Sequence, residues 1–147
     1  MDWVTSIHQA IQYIEQHLRE ALTIRDIAQQ ASLSPFYFQK GFAMLCGMTV
    51  GDYIRQRRLS AAGLEVLTTD RKIIDIALEF GYDSPDSFTK AFARFHGLTS
   101  AALRKSGGAV RSFAPDQSDI GRWSKHGLQD YEKRSVHGAL SGKDLQV

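Results

Sequence analysis

IRDIAQQASLSPFYFQKGFAMLCGMT, residues 24–49, and IIDIALEFGYDSPDSFTKAFARFHGLT, residues 73–99, are two copies of one pattern. The first begins IRDIA at Ile24 and the second IIDIA at Ile73, forty-nine positions on. After the turn the offset becomes fifty. Ser34, Pro35, Phe38, Lys40, Phe42, Ala43, Gly47 and Thr49 return as Ser84, Pro85, Phe88, Lys90, Phe92, Ala93, Gly97 and Thr99. One extra residue therefore sits in the second turn. An insertion confined to a connection, with matching caps, core aromatics and closing glycines on both sides, is what a duplicated supersecondary unit shows.

Each copy predicts a short helix, a tight turn and a second helix. Thr23 can accept the first free amides of a helix whose inward residues are Ile24, Ile27, Ala28 and Ala31, with Asp26 near its positive end. Ser34 followed by Pro35 is a strong helix start, because proline at the first helical position gives up no needed amide. Phe38, Phe42 and Leu45 then share one side, and Gly47 suits the left-handed closing residue. Thr49 caps a longer helix reaching about Leu67, with Val50, Tyr53, Ile54, Ala61, Leu64 and Leu67 directed inward. Upstream, Trp3, Ile7, Ile11, Ile14 and Leu18 recur at steps of three and four, which predicts a half-buried helix from about Asp2 to Glu20. The expected fold is all-α: two helix-turn-helix units, about 23–47 and 72–97, joined by a linker helix of about 49–67 within a region spanning 1–105. Residues 106–147, glycine-rich and without sustained period, are expected to form a polar tail too short for a second stable domain.

Composition narrows the class. Of 147 residues, 43% are apolar and 23% charged, enough to build a core and unlike a disordered chain. The formal charge of +2 does not announce a polyanion partner, so any basic surface must come from local arrangement. Cys46 is the single cysteine, which excludes an internal disulfide and favours a reducing compartment such as the cytoplasm. No apolar run approaches the roughly 18 residues of a membrane span, and the start lacks the form of an export signal.

With the aromatics inward, the first unit's second helix turns Phe36, Gln39, Lys40 and Ala43 outward. Glutamine pairs with adenine through two bonds, lysine reaches guanine acceptors or phosphate, and phenylalanine touches a thymine methyl. The matching stripe of the second unit is Asp86, Thr89, Lys90 and Ala93, with Ser87 and Arg94 at its edges. It is chemically milder and predicts less sharp discrimination. Asp86 suits either a helix cap or a cytosine amino group, the cap being favoured. Arg55, Arg57 and Arg58 on the linker suit either solvent or DNA phosphates. A helix of about twenty residues spans about 30 Å, close to the repeat of successive major-groove segments on one duplex face, so a monomer could read two of them.

Other classes have less support. A cysteine enzyme would need Cys46 with His8, His17, His96, His126 or His137, but Cys46 precedes a helix-closing glycine instead of lying at an activating helix start. His96 at a helix end suits a structural role. No paired acid, phosphate loop or metal-spaced cluster stands out, so no catalytic role, metal or cofactor is expected. The remaining alternative is a protein-interaction module, or a truncated regulator acting through a partner with little DNA specificity.

At these residues, above all IALEFGYDSPDSFTKAFARFHGLTS from Ile76 to Ser100, the sequence resembles the AraC/XylS family of bacterial transcription regulators over about Trp3 to Lys105. The resemblance implies double-stranded DNA as partner and base reading by Phe36, Gln39 and Lys40, and by Asp86, Ser87, Thr89 and Lys90. Phosphate contacts are expected from Ser34, Arg55, Arg57, Arg58, Ser84 and Arg94. It also implies transcription activation through RNA polymerase. Ser100 stands where the family usually has proline and Ala102 where an aromatic is common, which predicts a less firmly docked last helix. Val110 to Ala114 resembles the start of a linker to an effector domain, so the chain is compatible with a truncated regulator.

Overall fold

A computed structural model describes residues 2–107, and the expected tail lies almost wholly outside them. The described residues form helices α1 (Trp3–Gln16), α2 (Ile24–Gln30), α3 (Pro35–Cys46), α4 (Val50–Thr68), α5 (Ile73–Glu79), α6 (Pro85–His96) and α7 (Ser100–Ser106), with no strand among them. They divide into two compact units, one holding residues 2–17 and 22–54, the other 18–21 and 55–107.

The predicted caps form. Thr23, Ser34 and Thr99 each accept a backbone amide, from Asp26, Tyr37 and Ala102 respectively, and Ser84 accepts from Ser87. Gly47 and Gly97 close α3 and α6 at φ 73° and 83°, a region open to glycine at little cost. The turns within the two repeats begin alike: Leu33 donates to the Ala28 carbonyl and Tyr82 to that of Ala77, both at 3.0 Å. Ser32 and Gly81 hold the positive-φ position in each turn. Since these pairs keep the forty-nine offset and Ser34 pairs with Ser84, the extra residue is Asp83. Helix α1 is shorter than periodicity suggested: it ends at Gln16, where the His17 amide turns to the Ile14 carbonyl three residues back instead of continuing the α-helical pattern.

In the first unit, Ile7, Ala10, Ile11 and Ile14 of α1 are buried with Ile27, Ala28, Phe38, Phe42, Leu45, Val50 and Tyr53. The Phe42 ring lies 5.8 Å from Phe38 and 5.5 Å from Tyr53, both edge-on, an arrangement favoured by the ring quadrupoles. Gly41 is required by a close approach: a Cβ there would run into the six-membered ring of Trp3.

The second unit buries Leu59, Ala62, Val66, Ile76, Ala77, Phe80, Phe88, Phe92 and Leu103 in one cluster. Here the expected inward face of α4 needs correction. Leu64 is 55% exposed, and Ala61 and Leu67 are only half-buried, while Leu59, Ala62 and Val66 face the core. Apolar residues occur all round this half of α4, so spacing alone could not select the face. The last helix is also better docked than predicted. Ser100 and Leu103 are buried, and Arg104 Nε donates to the Val66 carbonyl at 3.1 Å.

Candidate nucleic-acid interface

Burying Phe38, Gly41, Phe42 and Leu45 turns the opposite side of α3 outward. Phe36 is 50% exposed, while Gln39, Lys40 and Ala43 are partly exposed along the same stripe. Lys40 Nζ sits 5.9 Å from the Phe36 ring centroid, the outer range of a cation–π contact. Tyr37, which the stripe argument passed over, is exposed beside Phe36. Its signal was available, since a first-turn residue one step round a helix has little above it to cover it.

On α6 only Phe88 and Phe92 are buried, leaving Asp86, Ser87, Thr89, Lys90 and Arg94 exposed. The cap at the start of α6 is made by Ser84, not Asp86. The Asp86 carboxylate instead meets Lys90 Nζ at 3.1 Å, one helical turn on. Both groups are more than 70% exposed, so the pair is weak and easily exchanged for an external partner. Ser84 Oγ also donates to Ser87 Oγ at 3.0 Å, which ties the two serines together at this helix start.

The arginines divide by role. Arg55 and Arg94 flank a cleft of about 240 Å³ with Leu59, Ala91 and Phe95 on its apolar side and Gln56 beside them. Arg57 is half-buried. Arg58 is committed internally, its Nε donating to the Leu18 carbonyl at 3.0 Å and a terminal nitrogen to that of Glu20 at 2.7 Å. Burial lowers its pKa. Spacing had grouped it with Arg55 and Arg57, and no local signal identified these carbonyl partners.

Among the described residues considered for catalysis are Cys46, His17 and His96. Burial pushes the Cys46 thiol up to about 12, so it stays protonated at neutral pH. His96 Nε2 donates to the Leu59 carbonyl at 2.8 Å, and His17 Nδ1 to that of Tyr13 at 2.6 Å. His126 and His137 lie outside the described residues. No helix among the described residues is long and apolar enough to cross a membrane.

The sequence matches the helix-turn-helix domain family over residues 27–106. It is 38% identical over 104 residues to YbfP, an uncharacterised helix-turn-helix transcriptional regulator of Bacillus subtilis. That match takes in 71% of this chain but 35% of YbfP, so the chain spans about a third of that relative. Against AarP, a helix-turn-helix transcriptional activator of Providencia stuartii, identity is 37% over 100 residues, covering 68% of this chain and 74% of AarP. A regulator from Chromobacterium violaceum with an AraC-type DNA-binding domain shares the fold at TM-score 0.66. Its identity is 22%, with 71% of this chain and 93% of that one covered.

Proposed function

The chain belongs to the AraC/XylS family of DNA-binding transcription regulators, and on that premise we propose that α3 and α6 are its two recognition helices, entering successive major-groove segments. The observation that carries this reading is the repeated helix start. In both units a serine cap and a proline open a helix that buries one matching pair of phenylalanines, Phe38 and Phe42 or Phe88 and Phe92, and whose first turn holds exposed side chains. Phe36, Gln39 and Lys40 read bases in one half of the site, and Asp86, Ser87, Thr89 and Lys90 in the other. The Asp86–Lys90 pair opens on contact, freeing lysine for guanine or phosphate and the carboxylate for a cytosine amino group.

Arg55 and Arg94, supported by Arg57, take backbone phosphates, and Ser34 and Ser84 sit where the first-turn amides can approach them. Arg58 is left out of this set, being bonded to the Leu18 and Glu20 carbonyls. The domain proposed for this work is 1–105, acting as a monomer in the cytoplasm. Activation is part of the proposal, supported by the likeness to AarP, a transcriptional activator; RNA polymerase is the partner proposed for it.

Two substitutions test the division of labour. Gln39→Ala should relax preference at one or two base pairs, costing about 1–3 kcal/mol on the preferred site and little on random DNA. Arg94→Ala should weaken all sequences alike and reduce the salt slope by about 1. Equal loss on preferred and random DNA from the Gln39 change would defeat the base-reading assignment.

A further inference from the structure

We infer that Tyr37 is a further specificity-determining residue, forming with Phe36 a composite apolar surface for thymine methyl groups at the start of α3. This rests on the DNA-reading role proposed above for α3. Phe36 and Tyr37 are the two large apolar side chains left exposed in the first unit's described residues, at 50% and 56%. They form one object: the ring centroids are 5.4 Å apart and the planes 85° to each other. The Tyr37 amide donates to Ser34 Oγ, fixing the first turn that carries both rings, and Lys40 stands over Phe36.

A rigid apolar step beside a cation suits one feature of a major groove. The thymine C5-methyl is the exposed apolar group on the base edges there, and it lies among phosphates that attract the lysine. Covering the step with a methyl removes apolar surface from water on both partners. Tyr37 adds the second wall that Phe36 alone lacks. The repeat supplies an internal control, since the matching positions on α6 are Asp86 and Ser87, both exposed and polar. Methyl reading therefore belongs to one half of the site.

The test uses the full chain and the DNA site it selects, with each thymine replaced in turn by uracil, which lacks the methyl and pairs identically. The wild-type protein should lose about fourfold in affinity per buried methyl, at one or two thymines in one half only. Tyr37→Ala should abolish that penalty at one of those positions, and Tyr37→Phe should keep it. Tyr37→Ser, which copies the second unit's Ser87, is a second variant with the same expectation as alanine. An undiminished penalty in Tyr37→Ala and Tyr37→Ser would overturn the inference. So would Tyr37→Phe losing the penalty as fully as alanine, which would make the hydroxyl the contact. If the wild-type protein selects no sequence, the recognition-helix reading fails as well; if it selects one and Tyr37 does not alter the uracil response, only this inference fails.

Discussion

At the scale of single residues, the side chains that set geometry were easier to identify in the sequence than those already engaged elsewhere. Ser34, Ser84, Gly47 and Gly97 announced their roles because caps and left-handed closures are local chemistry. Arg58 did not, since its carbonyl acceptors lie about forty residues away, at separations of 40 and 38. Gly41 is a third case, a glycine in mid-helix that local propensity would replace by alanine. The Trp3 ring fills the space a Cβ would need. Gly41→Ala should therefore destabilise the wild-type protein by about 1–3 kcal/mol through overpacking, net of helix propensity. Once Trp3→Ala removes the ring, the same change should stabilise by about 1 kcal/mol, because alanine exceeds glycine in a helix interior. Thermal unfolding of the four proteins of this cycle checks the reversal of sign, and a Gly41→Ala cost unchanged by loss of the ring would contradict the packing account.

Among the elements, the pairs α2–α3 and α5–α6 were legible because duplication doubles every local signal. The second half of α4 was not, since Leu59, Ala61, Ala62, Leu64, Val66 and Leu67 offer no single apolar stripe. Nor did periodicity reveal how α5 is tied down. Arg19 donates to Glu65 at 2.8 Å and to Glu79 at 2.7 Å, Arg71 also bonds Glu79, and the Arg19 guanidinium lies 4.8 Å from the Phe80 ring centroid. The bonds from Arg71 and then Arg19 hold the Glu79 carboxyl below its ordinary value of 4.5. A carboxylate depressed in the folded state contributes stability above its unfolded pKa, and this is lost as pH falls through the folded value. Acidification from neutral to about pH 3 should therefore lower the melting temperature less in Glu79→Gln than in the wild-type protein. An equal fall in both would remove Glu79 from the acid response. The docking of α7 has a similar origin: the sequence showed Ser100 and Ala102 as departures, while burial of Leu103 and the Arg104 bond to Val66 carry the contact.

For the whole molecule, the two-unit architecture and family follow from one duplicated pattern, with helix-turn-helix similarity over residues 27–106. The candidate site was legible as two outward stripes, which helix period gives directly once the buried aromatics are chosen. The Asp86–Lys90 pair and the separation of Arg58 from Arg55 and Arg94 were not legible, because partner choice depends on tertiary packing. A net charge of only +2 makes sequence preference a sharper test than bulk affinity, which any local cluster of arginines could supply. The central claim is that one chain reads DNA sequence through two different helix faces. Selection of binding sites from random duplex DNA by the purified protein, at two salt concentrations, tests it most directly. The account predicts an enriched motif of two blocks about one helical turn apart, the block facing α3 more sharply defined. A folded protein that enriches no motif at either salt concentration would contradict it.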